Sequence, residues 1–65
     1  MKVGDKVKIR NTSQYYMDGD SWNPKDTLGE VINFNQWNSL PFLVMWENGE
    51  ENAYGEEDLE IINEI

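Results

Sequence analysis

Residues 18–23 read Asp18-Gly19-Asp20-Ser21-Trp22-Asn23 and place side-chain oxygens at alternate positions, as a calcium-binding loop begins. The match fails further along. Trp22 occupies the fifth position, Asn23 stands where the sharp turn needs glycine, and Gly29 stands where a bidentate glutamate closes the cage. An EF-hand is ruled out and no metal set is assigned. The chain has no His and no Cys, which removes the common zinc ligands, disulfides and any nucleophile paired with an imidazole. Carboxylates are abundant, but a domain this small offers no deep cleft to exclude water from a pair of them. No catalytic residue, cofactor or metal is expected.

The same stretch suits recognition better. Tyr15, Tyr16 and Trp22 offer flat rings, and Asp18 and Asp20 offer carboxylates, the two groups that hold an extended, basic or proline-rich peptide. With Trp37 and Trp46 nearby, these residues are the candidate partner-binding set. A competing reading is structural. A chain of 65 residues without staples needs every aromatic it has, at around 25 cal/mol per Å² buried. On that reading Tyr16, Met17 and Trp22 fold back over one mouth of the core. Trp22 is the expected plug and Tyr15 the expected exposed platform.

The elements that must position this loop follow from alternation. Residues 5–10 put Val7 and Ile9 on one face and Lys6, Lys8 and Arg10 on the other, a half-buried strand. After the long first connection, residues 27–34 are rich in β-formers, with Gly29 placed for a bend or a close backbone approach. A polar turn at 35–39 carries Trp37. Residues 40–46 then place Phe42, Val44 and Trp46 on one face, with Leu43 and Met45 on the other. Pro41 marks a strand start or an unpaired edge. Asn48-Gly49 accepts positive φ at both positions, which predicts a type I′ hairpin returning through residues 51–54. Residues 55–58 fit a single 3₁₀ turn, and residues 59–61 make the closing strand. Nothing reads as a helix longer than one turn. These signals predict an all-β, five-stranded SH3-like barrel over residues 1–65, with a long first loop and a 3₁₀ turn before the last strand. The expected interior is Val7, Ile9, Val31, Phe42, Val44 and Leu59.

Two resemblances attach to this pattern. Val44-x-Trp46-x-Asn48-Gly49-x-x-Asn52-x-Tyr54, followed by Asp58-Leu59, resembles the SH3-like repeat of mind-bomb and HERC-type ubiquitin ligases. That resemblance implies a protein or peptide partner. In overall layout the chain is similar to the small peripheral barrel subunit of photosystem I. The residues that carry this are Lys6 to Arg10, Ser13, Tyr15-Tyr16, Gly29-x-Val31, Pro41 to Trp46, Asn52 and Asp58-Leu59. It implies the barrel fold, but that subunit docks an acidic carrier on a basic face, and the second half of this chain has no base.

Charge is split along the chain. The 5 basic residues all lie within residues 1–25, while residues 26–65 hold 10 of the 13 acids, for a net charge of −8. Such a surface repels phosphate backbones, so nucleic-acid binding is disfavoured. The acids of the last third (Glu47, Glu50, Glu51, Glu56, Glu57, Asp58, Glu60 and Glu64) read either as a solubilising surface or as a decoy for a basic, nucleic-acid-processing target. The decoy would suit a viral or mobile-element accessory protein. In a closed barrel Glu60 would lie beside the Lys6, Lys8 and Arg10 stripe and pair with it. Leu43 and Met45, with Trp37, would form an exposed apolar patch. No long apolar run marks a leader or a span, so the expectation is a complete cytoplasmic monomer that binds protein.

Overall fold

Val7 and Ile9 fix the first strand, β1 (Lys6–Ile9), because both side chains are buried while the strand's other face meets solvent. The computed structural model describes residues 1–18, 23–24 and 26–62, and of residues 17 and 18 it describes the backbone alone. After β1 come a short helix α1 (Gln14–Asp18), then β2 (Gly29–Phe34), β3 (Phe42–Trp46) and β4 (Glu51–Tyr54). A 3₁₀ turn (Glu56–Asp58) leads into β5 (Leu59–Ile61). The strands form one antiparallel sheet in the order β4-β3-β2-β1-β5, curled into an SH3-like barrel. All six residues expected inside are buried, together with Trp46 and Tyr54.

Two local features shape the sheet. A register shift between Val31 and Asn33 leaves Ile32 as the extra residue opposite β3, and such a bulge bends and twists the strand that carries it. Gly29 pairs with Trp46 across the same two strands. A Cβ there would sit 2.5 Å from the Trp46 ring and 2.7 Å from Val44 Cγ1, so the close approach expected of Gly29 is real.

The turn after β3 departs from the type I′ expectation. Gly49 has φ 90, but Asn48 keeps a negative φ. The Gly49 amide donates to the Trp46 carbonyl at 2.9 Å, and the Trp46 amide donates to the Glu50 carbonyl at 2.8 Å. That is a three-residue loop closed by a glycine bulge. Asn48 contributes through its side chain instead, with Oδ1 accepting the Glu50 amide at 2.9 Å.

The expectation that no helix exceeds one turn also needs correction, since α1 has 5 residues. So short a helix has no stability of its own. It stands on Ser13, whose buried Oγ accepts the Tyr15 amide at 3.1 Å and donates to Asp58 Oδ1 at 3.0 Å. Asp58 in turn accepts the Gly55 amide at 3.3 Å and, through its carbonyl, the Arg10 amide at 2.8 Å. One residue of the 3₁₀ turn thereby holds the start of the first connection beside the entry to β5. Among the described residues no helix is long and apolar enough to cross a membrane.

Candidate partner-binding surface

The first connection is held from inside. Tyr54, fully buried on β4, accepts a hydrogen bond from Trp46 Nε1 at 3.1 Å and donates its own hydroxyl proton to Asn23 Oδ1 at 2.7 Å. Asn52 Nδ2 donates to the same oxygen at 3.1 Å. Asn23 is itself buried, so a polar side chain in the middle of the connection is paired deep in the structure, where an unpaired amide would cost about 1–3 kcal/mol. This anchor lies 31 residues from Tyr54 in sequence. No local pattern announces it, and it was missed in the sequence.

Tyr15 belongs to the same assembly. Its ring meets that of Tyr54 edge-on, at 5.3 Å and 85°, and Tyr54 meets Trp46 in the same manner at 5.6 Å and 81°. The platform expected of Tyr15 is therefore corrected: the ring is half-buried and serves as a lid on Tyr54. Trp46 is corrected more firmly. It is 1% exposed and cannot touch a partner, because the alternation that buries Phe42 and Val44 carries it inward as well. Asp18 ends α1, and its side chain lies outside the described residues, as do Asp20 and Trp22. The calcium reading of residues 18–23 and the expected Trp22 plug rest largely on those positions.

Tyr16 is half-buried and directs its hydroxyl at Asp26, with Oδ1 at 3.3 Å and Oδ2 at 3.4 Å. The Asp26 charge raises the phenol above its usual 10.0, with burial and the hydrogen bond adding in the same direction. Asp26 holds this position with φ 58, a left-handed conformation that aspartate tolerates better than most residues. Tyr16 and Asp26 line an open cleft of about 290 Å³ together with Lys8, Arg10 and Glu60. Lys8 stands opposite Glu60 in register, as the sequence led us to expect. The ion pair that forms among the described residues joins Lys6 to Glu30 at 2.6 Å instead. Both partners are about half exposed, so the pair adds little to stability.

Trp37 behaves differently from all of these. It is 85% exposed at the tip of the β2–β3 turn. Its backbone is nonetheless fixed: Asn35 Oδ1 accepts the Trp37 amide at 3.0 Å, and the Asn35 carbonyl accepts the Asn38 amide at 3.1 Å. The Asn35 amide donates to the Pro41 carbonyl at 2.8 Å, closing the base of the turn. Just before it, Phe34 leaves 46% of its surface to solvent while its ring leans on buried Phe42 at 4.9 Å. Phe34 was not singled out in the sequence, since the bulge that resets its strand gives no sequence signal. Of the apolar patch expected with Trp37, Met45 is exposed and Leu43 half-buried.

No family model matches this sequence, and no curated protein matches it. Among solved structures, the NMR structure of the Bacillus subtilis protein YorP superposes with a TM-score of 0.76 at 22% identity, covering 98% of this chain and 71% of that one. At that identity the likeness establishes a shared fold.

Proposed function

We propose that the domain is a noncatalytic protein-binding module, a cytoplasmic monomer that uses Trp37 as its anchor. The observation that carries this reading is a tryptophan almost wholly in solvent in a turn held by three hydrogen bonds, one of them from its own amide. Tryptophan leads the residues that dominate interface energies, and a fixed backbone reduces the ordering cost of binding. Phe34 extends the apolar surface at the same end of the sheet, while Tyr16 with Asp26 supplies a ring and a carboxylate on the first connection. The likeness to the mind-bomb and HERC-type repeat supports a protein partner only indirectly. Here Trp46, Asn52 and Tyr54 of that pattern hold the interior and the Asn23 anchor.

The test is a capture experiment from host extract with the native protein and Trp37→Ala, read by mass spectrometry and repeated with purified partner by calorimetry. A loss of at least about tenfold in affinity with an unchanged melting temperature is the expected result. Equal affinity for the two proteins would overturn the reading.

A second reading has its own observation. Glu47, Glu51, Glu56, Glu57 and Glu60 are all exposed, which leaves a broad acidic surface for a basic target to dock on. As a decoy the domain would lose binding steeply with salt, and reversal of Glu50, Glu51, Glu56 and Glu57 to Lys would abolish it. Salt-insensitive binding sends the choice back to Trp37.

A further inference from the structure

The sheet has two outer strands, β4 and β5, and they are finished differently. On β4 the antiparallel alternation turns the Ala53 amide outward, and Asn52 Oδ1 caps it at 2.9 Å. That side chain covers one outward group of this edge; by the same alternation the Ala53 carbonyl and the peptide groups of Glu51 also point outward. On β5 the bonds from the Arg10 amide to the Asp58 carbonyl, at 2.8 Å, and from the Ile62 amide to the Lys6 carbonyl, at 2.7 Å, fix which groups face β1. By alternation Glu60 faces β1 as well, opposite Lys8, so the peptide groups of Leu59 and Ile61 point away from the sheet. The Leu59 amide is used by the 3₁₀ turn, donating to the Glu56 carbonyl. The Leu59 carbonyl and both peptide groups of Ile61 stay open, with no partner among the described residues.

The side chains on this edge suit an added strand. Leu59 and Ile61 share one side of β5, and whereas Leu59 is sealed in the core, Ile61 is 42% exposed. Met1, Leu59 and Ile61 line a shallow groove of about 440 Å³ together with Arg10, Glu56 and Glu57, so that its carboxylates outnumber its one guanidinium. Glu60 adds a further exposed carboxylate on the other face of the strand. An apolar floor, open peptide groups and an acidic border call for an extended segment that alternates apolar and basic residues. A second copy of this chain is the poorer occupant. Its own β5 would bring Glu60 and the same rim of glutamates against their like, between two molecules of net charge −8.

We infer that β5 is a strand-docking edge, which takes an extended partner peptide with alternating basic and apolar residues, apart from the Trp37 end of the molecule. The partner peptide pairs its backbone with Leu59 and Ile61, lays an apolar side chain over Ile61 and Met1, and sets its cations against Glu56, Glu57 and Glu60.

The experiment titrates isotope-labelled protein with a short synthetic peptide alternating lysine and valine, followed by amide chemical shifts. A second peptide of the same sequence is N-methylated along one backbone edge, so its charge and side chains stay while its donors go. The expected result is a shift pattern centred on Leu59, Ile61 and Ile62, with the N-methylated peptide at least about tenfold weaker. Ile61→Pro removes the outward donor together with the Ile61 side chain and is expected to weaken the first peptide at least as much. Should that variant fail to fold, the peptide comparison on the native protein decides alone. Equal affinity of the two peptides, or shifts spread over every glutamate, would mean simple charge attraction and overturn the proposal. Trp37→Ala leaves this titration unchanged, so its outcome is separate from that of the anchor proposed above.

Discussion

Trp46 ends β3 and Trp37 sits nine residues earlier in the turn before that strand, and the fold treats them as opposites. Trp46 has a polar partner for its indole nitrogen, a glycine cleared to receive its ring and a second ring packed edge-on. Among the described residues Trp37 has none of these supports for its side chain, only for its backbone. The difference shows what consigns an aromatic residue to the interior of so small a domain. Size and apolarity are equal in the two cases. What separates them is whether the surroundings supply a ring-shaped space and a hydrogen-bond acceptor for the N–H.

Several measurements can break or sharpen this contrast. The largest effect is expected for Trp46→Ala, which should cost about 3–5 kcal/mol, comparable to the whole stability of a domain of this size. Circular dichroism should then show an unfolded chain at room temperature, and a folded spectrum with a clear melt would remove Trp46 from its central place. Next comes Tyr54→Phe, which keeps the ring but takes the hydroxyl from between Trp46 and Asn23. It should cost about 1–3 kcal/mol in urea unfolding and speed amide exchange around Asn23. A change confined to the β4 amides would mean that the anchor does not control the first connection.

Trp37→Ala should alter stability by no more than about 0.5 kcal/mol, since the ring covers almost nothing. A clear fall in melting temperature would show that Trp37 packs in solution and would take away the premise of the binding proposal. The smallest signal is electrostatic. Tyr16 should titrate above the usual 10.0, because its phenolate would form beside the Asp26 carboxylate. The folded state then holds the proton more tightly than the unfolded state does. Any stability from this pair is fully present below the unfolded value and is lost as pH rises through the raised one. A spectrophotometric titration of Asp26→Asn should bring Tyr16 down toward the ordinary value, and an unchanged curve would show that Asp26 is not the cause.

Much of the sheet was legible because its signal is local. The alternation of Val7 with Ile9, and of Phe42 with Val44, is a direct record of two faces, and it holds in the fold. The same alternation already placed Trp46 inside, so its inclusion in a binding set went against the pattern of its own strand. Asn48-Gly49 correctly marked a hairpin but not its type, since one positive φ is enough for a three-residue loop. What stayed illegible was non-local. The pairing of Ser13 with Asp58 spans 45 residues and that of Asn23 with Tyr54 spans 31, and neither leaves a periodic trace. The display of Trp37 was readable only in part. A polar turn foretold its place, but its fixed backbone depends on how the Asn35 side chain is oriented.

The knot of bonds at Asp58 bears on how order is acquired during synthesis. Ser13 and Arg10 near the beginning, like Asn23 after them, all find their counterparts within residues 52–58. A chain emerging from its amino end therefore contains only one half of each tether until those last positions have been made. Distant pairings of this kind lengthen the search before they reward it.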